Sequence, residues 1–294
     1  MEWNKRGSPR GVYLGDRVPI GWKKGVGLVS ARGGFVAFAD LQGVRIHYEF
    51  SGDPASPVLV FSHALGLDLE LWTPQLEALE PHFRVLRFDA RGHGKSSTPS
   101  GPYSIEQFGG DVLELLNVLQ IDRATFCGIS MGGLIGQWLA LYAPTRVERL
   151  ILVSTAAKIG TADGWNERIS TVRDSGLATV IPGALERWFT AGFRREHPEA
   201  LNKIRKMLET TDGHGYAASC VAIRDADFRE SIGSIRTPTL VVAGTHDPST
   251  TPKDGRGLAA QIRGGTFAEL SGAHLCSIEA AADFNTVLLE FAGA

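Results

Sequence analysis

Short runs that are apolar at consecutive positions, rather than at every second one, recur along this chain at 58–62, 124–129, 149–154 and 239–243. Runs at 44–50 and 83–89 carry the same Val, Leu, Ile and Phe with charges interspersed. A strand that is apolar on both faces must be covered on both faces, which in practice means a parallel sheet flanked by helices. Covering stretches are present between the runs. Residues 104–119 place Ile105, Phe108, Val112, Leu115, Leu116 and Leu119 at three- and four-residue steps, one apolar stripe along a helix. Ser104 followed by Gln107 has the form of a capping box at its start. The pattern predicts an α/β fold with a mostly parallel central sheet and helices on both faces.

The alternation stops after Ser154. Residues 157–232 keep a helical period and carry Trp165, Trp188, Phe189 and Phe193, but contain no apolar strand run; the strand pattern resumes at Thr239. An insertion leaving from the carboxyl end of a strand hangs over the edge where α/β sheets bind ligands. The expected organisation is a core in two parts, 35–156 and 233–294, interrupted by a helical cap at 157–232. Residues 1–34 read differently. Lys5, Arg6, Arg10, Arg17, Lys23, Lys24 and Arg32 stand there against only Glu2 and Asp16, glycine is frequent and no period emerges. A flexible basic extension is expected.

Composition removes several function classes. The formal charge is −2, which argues against a nucleic-acid binder held by phosphate contacts. No apolar run approaches the roughly 18 residues of a membrane span. Three cysteines, Cys127, Cys220 and Cys276, form neither a closed disulfide set nor a zinc spacing, and read as free thiols in a reducing compartment. With no secretory segment evident, a cytoplasmic protein is expected. Cys276 reads as a small buried filler. The 35 glycines, well above the roughly 7% average, point to many tight turns.

One of those turns carries chemistry. Gly128-Ile129-Ser130-Met131-Gly132 stands between the run 124–129 and a helical stretch at 132–142. A serine on a sharp strand-to-helix turn needs a strained backbone, and glycine two positions away on either side removes the clash. Such a turn lifts the hydroxyl above the sheet edge and aims the first helical N–H, that of Met131, at an oxyanion formed there. A serine hydroxyl is a weak nucleophile alone, so a base and an orienting acid are required. Asp247 follows the run 239–243 through Gly-Thr-His, and His274 lies in Ser271-Gly272-Ala273-His274, after a short run at 267–270 and before a final helix from about Ser277. All three fall at carboxyl ends of strand runs, in the order serine, acid, histidine expected for a strand-turn-helix nucleophile. The segment Ser62-His63-Ala64-Leu65-Gly66 also follows a strand run, and its Leu65 N–H is the second candidate oxyanion donor. His93, in a Gly-rich loop, reads as structural; His246 is adjacent to Asp247 and cannot serve it as a partner while facing Ser130.

Several segments together are similar to a known family. Ser62-His63-Ala64-Leu65-Gly66-Leu67-Asp68, Phe88-Asp89-Ala90-Arg91-Gly92-His93-Gly94, Gly101-Pro102-Tyr103-Ser104-Ile105-Glu106-Gln107, Phe126-Cys127-Gly128-Ile129-Ser130-Met131-Gly132-Gly133, Leu185-Glu186-Arg187-Trp188-Phe189-Thr190 and Gly272-Ala273-His274 resemble the 3-oxoadipate enol-lactonases of bacterial aromatic degradation. These are members of the α/β-hydrolase superfamily. The likeness covers about residues 35 to 294; the turn around Ser130 identifies only the superfamily, whereas the Ser-His-Ala-Leu-Gly and Leu-Glu-Arg-Trp-Phe-Thr segments are narrower. Ala64 stands where the wider superfamily commonly has glycine, and residues 1–34 match nothing in the family.

The resemblance implies an α/β-hydrolase fold and hydrolysis of a small enol-lactone carrying a carboxylate, with Ser130, His274 and Asp247 as the triad. It implies no metal and no organic cofactor, and neither nucleic acid nor membrane as partner; the sequence fixes no oligomeric state. Trp165 and Trp188 are candidate substrate contacts in the cap, offering an indole N–H beside an apolar ring. Arg187, Arg168, Arg194 and Arg195 are candidate carboxylate anchors, among which the sequence does not choose. A carboxylesterase or a lactonase for another small ring is the alternative, and a non-catalytic ligand-binding member of the fold a further one. Dehalogenation through an alkyl-enzyme ester requires a carboxylate where Ser130 stands.

Overall fold

The computed structural model describes residues 35–293; the basic extension at 1–34 lies outside the described residues. One eight-stranded sheet runs in the order β1-β2-β4-β3-β5-β6-β7-β8. Its strands are β1 (Phe35–Leu41), β2 (Val44–Ser51), β3 (Val58–Ser62), β4 (Arg84–Phe88), β5 (Ala124–Ile129), β6 (Val147–Val153), β7 (Thr239–Gly244) and β8 (Thr266–Leu270). From β4 to β8 every pairing is parallel, while β1–β2 and β2–β4 are antiparallel. The sequence expectation starts the sheet at residue 44. The structure adds β1 as an edge strand, paired only with β2 and with Ala37 and Ala39 buried.

The consecutive-apolar pattern has a direct structural meaning. Val60, Leu86, Phe126, Leu150, Leu152 and Val241 face one core cluster, and their neighbours Leu59, Phe61, Val85, Cys127, Ile151, Leu240 and Val242 face the other. Alternation along each strand thus feeds both layers at once, each large side chain contributing about 1.5–3 kcal/mol by leaving water. On the first face lie α2 (Ile105–Val118), α3 (Met131–Tyr142) and α9 (Pro252–Gln261), through Phe108, Val112, Ile135, Leu139 and Leu258. The second is covered by Trp72, by Leu79 of the short α1 (Leu76–Leu79), and by Phe284 and Leu288 of α11 (Ala281–Ala292). Both halves of the capping box form: Ser104 Oγ accepts the Gln107 N–H at 3.2 Å, and Gln107 Oε1 accepts the Ser104 N–H at 3.0 Å.

Between β6 and β7 the chain runs through α4 (Ala162–Ser175), α5 (Ile181–Trp188), α6 (Ala191–Glu196), α7 (Pro198–Thr210) and α8 (Gly213–Asp225) without a strand. The helix expected from about Ser277 is instead two pieces, α10 (Cys276–Glu279) and α11, broken at Ala280 with φ −120° and ψ 49°. Among the described residues no helix is long and apolar enough to cross a membrane.

Candidate active site

β5 ends at Ile129 and α3 begins at Met131, leaving Ser130 alone in the turn at φ +54° and ψ −111°. A side-chain-bearing residue in this region carries strain of about 1–3 kcal/mol and persists only where its surroundings enforce it. They do so here by hydrogen bonding. The Ser130 N–H donates to Val153 O at 2.9 Å, and its carbonyl accepts from Gly133 N–H, Leu134 N–H and the Thr155 hydroxyl at 2.9, 3.1 and 3.0 Å. A Cβ at Gly128 would fall on the Gly132 carbonyl, and one at Gly132 on the Ser62 carbonyl. The two glycines therefore permit the close approach of turn, helix and β3 that the strained serine requires.

Ser130 opens on a cavity of about 340 Å³. Ala64 and Leu65 line it from the loop after β3, Trp165 and Arg168 from α4, Arg187 and Trp188 from α5, Pro248 and Ser249 from the loop after β7, and His274 from the loop after β8. Every one of these loops leaves the same edge of the parallel sheet. A cavity of this size, mostly apolar with a few convergent polar groups, suits a small molecule.

His274 Nδ1 lies 2.7 Å from Asp247 Oδ2, and both residues are buried. The proton's position follows from the carboxylate's other partners. Asp247 Oδ1 accepts the N–H groups of Ser249 and Thr250 at 2.7 and 3.1 Å, and Oδ2 accepts the Thr250 hydroxyl at 2.8 Å. Burial alone would raise the Asp247 pKa, but His274 and these donors hold it below the ordinary carboxylate value. An ionised carboxylate only accepts, so Nδ1–H donates, and in the neutral imidazole this leaves the lone pair on Nε2, the tautomer a general base needs. Thr250, whose hydroxyl also sits 3.4 Å from Nδ1, carries no sequence motif and was not foreseeable. Among the described residues no hydrogen bond joins the Ser130 hydroxyl to the His274 ring; the two share the cavity wall. Such contacts commonly tighten only when substrate is bound.

Leu65 and Met131 bring backbone rather than side chains to the site, and neither N–H has a protein acceptor among the described residues. That of Met131 sits at the positive end of a twelve-residue helix. His63 stiffens the Leu65 loop: its Nε2 accepts the Ala90 N–H at 2.9 Å, so its Nδ1–H donates to Ala64 O at 2.8 Å. The His63 and His93 rings lie with their centroids 5.0 Å apart, tilted by 56°. Burial lowers the pKa of both, that of His93 to about 3, with His63 adding to the effect. Unfolded, His93 would take up a proton below about pH 6.5, so between about 6.5 and 3 the unfolded state binds more protons and stability falls as pH falls. Urea unfolding should show wild type losing up to about 1.4 kcal/mol per pH unit from this histidine. His93→Gln should flatten that slope, and equal slopes would refute the assignment.

The cap residues divide. Trp165 offers its ring but not its N–H, which donates to Ile159 O at 2.7 Å, with the Arg168 guanidinium 4.9 Å from the ring centre. The Trp188 ring lies 6.5 Å from the His274 ring at 25°. Arg168 and Arg187 line the cavity, and burial together with Arg168 lowers the Arg187 pKa. Two guanidiniums lining one cavity, close enough for the charge of one to lower the pKa of the other, favour an anion beside them. Arg194 and Arg195 are not on this wall; Arg195 pairs with Glu196 at 2.7 Å. Cys276 is buried, and burial pushes its thiol up to about 12, which leaves it inert.

Comparison with known proteins bears on the fold and the family. A sequence profile described as the alpha/beta hydrolase fold matches residues 57–281. The chain is 44% identical over 244 residues to 3-oxoadipate enol-lactonase 2 of Acinetobacter baylyi, covering 83% of this chain and 91% of the relative. It is 38% identical to 3-oxoadipate enol-lactonase 1 of the same organism, with the same coverage of each chain. The crystal structure of the enol-lactonase from Burkholderia xenovorans LB400 superposes with a TM-score of 0.86 at 44% identity, covering 87% of this chain and all of that one. The chain belongs to the α/β-hydrolase fold family, in the branch that holds the 3-oxoadipate enol-lactonases.

Proposed function

We propose that this protein opens 3-oxoadipate enol-lactone to 3-oxoadipate, with Ser130 as nucleophile, His274 as base and Asp247 as its orienting acid. The observation that carries the reading is the shared wall: the Ser130 hydroxyl and His274 face one cavity with the guanidiniums of Arg168 and Arg187. That is a place for a small cyclic ester with an anionic arm. The names of the relatives point to the same substrate.

Ser130 Oγ attacks the lactone carbonyl while His274 Nε2 takes its proton, and the Leu65 and Met131 N–H groups receive the oxyanion. One such donor is worth about 3 kcal/mol in the transition state. Collapse breaks the ring C–O bond and expels an enolate, which stays tethered to the acyl chain, takes the proton from His274 and becomes a ketone. Water, deprotonated by His274, then attacks the ester at Ser130. The released acid is 3-oxoadipate, and the serine regains its proton.

The test is charge discrimination. Removing one charge-assisted contact costs about 1.5–3 kcal/mol. Arg187→Ala and Arg168→Ala should each raise KM for the enol-lactone about 10- to 100-fold. Neither should change kcat/KM for a neutral ring analogue or for p-nitrophenyl acetate. Wild type that turns over p-nitrophenyl acetate as efficiently as the enol-lactone would make it a carboxylesterase instead.

A further inference from the structure

Glu279 belongs to neither the cavity wall nor any motif around the serine, yet its carboxylate joins two parts of the site. Oε1 accepts the Ala273 N–H at 2.7 Å, and Oε2 accepts the Thr190 hydroxyl at 2.6 Å. The Thr190 N–H is shared between the two oxygens at 3.3 and 3.2 Å. Ala273 immediately precedes His274, and Thr190 ends the cap segment Trp188-Phe189-Thr190. On the other side of His274, the Leu275 N–H donates to Trp188 O at 3.0 Å. Both peptide N–H groups flanking the histidine are therefore tied to one stretch of cap, one directly and one through a carboxylate. A further bond, from His246 N–H to Gly272 O at 2.8 Å, ties the same loop to the one carrying Asp247. The break at Ala280 that shortens α10 falls immediately after Glu279.

We propose that Glu279 is a positioning residue for His274: a carboxylate strap that holds the imidazole loop and the Trp188–Thr190 stretch of the cap as one unit. The inference rests on the reading of His274 as the base. It gives a physical reason for the Leu-Glu-Arg-Trp-Phe-Thr segment to accompany Gly-Ala-His. The threonine supplies the strap's anchor, and the tryptophan supplies both a backbone acceptor and the ring that stacks beside the imidazole.

The strap can be cut at either end. Glu279→Ala removes every bond, Thr190→Val removes the hydroxyl donor alone, and Glu279→Gln keeps one acceptor oxygen for Ala273. Displacing a reacting group by about 1 Å costs on the order of 100-fold. Glu279→Ala should therefore lower kcat about 10- to 100-fold with KM changed less than about 3-fold. Glu279→Gln and Thr190→Val should fall between it and wild type, and Thr190→Ser should restore the rate. The double variant Glu279→Ala/Thr190→Val should be no slower than Glu279→Ala, because both cut one link. Rates are referred to active sites titrated with a serine-directed phosphonate, so that loss of folded protein does not count.

Full kcat per titrated site in Glu279→Ala, or a loss in KM alone, would overturn the strap. So would a variant that only melts earlier. Turnover that survives Ser130→Ala would instead overturn the functional reading, and the two failures are told apart by running that variant alongside.

Discussion

Ser130→Ala is expected to lower kcat for the enol-lactone by on the order of 10⁵- to 10⁶-fold, the loss seen when a serine nucleophile is deleted from a triad. Affinity should hardly change, because Arg168, Arg187, Trp165 and Trp188 still line the cavity. Equilibrium binding to the inert variant, by calorimetry, should give a Kd close to the wild-type KM. Stability provides an independent check on the turn. With φ at +54° and ψ at −111°, alanine keeps the strain that serine bears, whereas glycine relieves it. Ser130→Gly should therefore be as inactive as Ser130→Ala but melt higher, by about 1 kcal/mol after the added freedom of the unfolded chain is counted. An alanine variant retaining a tenth of the rate would remove Ser130 from the chemistry.

Asp247→Asn should lower kcat by about 10⁴-fold with little change in KM or melting temperature. The magnitude follows from which oxygen is pinned. Oδ1 accepts two backbone N–H groups, from Ser249 and Thr250, so an asparagine must place its carbonyl oxygen there. Its amide nitrogen then takes the position of Oδ2, 2.7 Å from His274 Nδ1. An N–H group facing Nδ1 forces the imidazole to accept at that atom and to carry its proton on Nε2, which removes the lone pair facing the cavity. Thr250→Val removes the hydroxyl bonded to Oδ2 but leaves both backbone donors, so it should cost far less. An Asp247→Asn enzyme within tenfold of wild type would show that the tautomer is not controlled in this way.

Much of the fold is legible along the chain because its signals are local. A strand buried on both faces writes consecutive apolar residues, as in Val58–Ser62 and Ala124–Ile129, and those runs alternate with a stripe such as Ile105, Phe108 and Val112. The turn at Ser130 is equally local, since its two glycines answer clashes within a few residues of the chain or with the neighbouring strand. What the sequence does not display depends on long-range packing. Edge strand β1 buries only small side chains at Ala37 and Ala39, and its place in the sheet comes from antiparallel pairing with β2. The Trp165 N–H reads as available until Ile159 O is found beneath it. Four cap arginines read alike; only the packing of α4 and α5 turns Arg168 and Arg187 towards the cavity while Arg195, on α6, pairs with Glu196. Glu279 reaches Thr190 across 89 positions of sequence, and no periodicity announces a carboxylate with that task.

Attack of a serine on a lactone is an addition, because the leaving group remains attached to the acyl chain. That distinguishes ring opening from ester hydrolysis in a single experiment. Asp247→Asn, slowed at every step that His274 serves, is mixed with enol-lactone, quenched in acid after increasing times, and its intact mass and Ser130 peptide are measured. A transient gain equal to the whole lactone, located on Ser130 and absent from the Ser130→Ala/Asp247→Asn double variant, is the result predicted. Wild type that consumes enol-lactone while no adduct ever forms on Ser130, and whose Ser130→Ala variant consumes it equally well, would contradict the account.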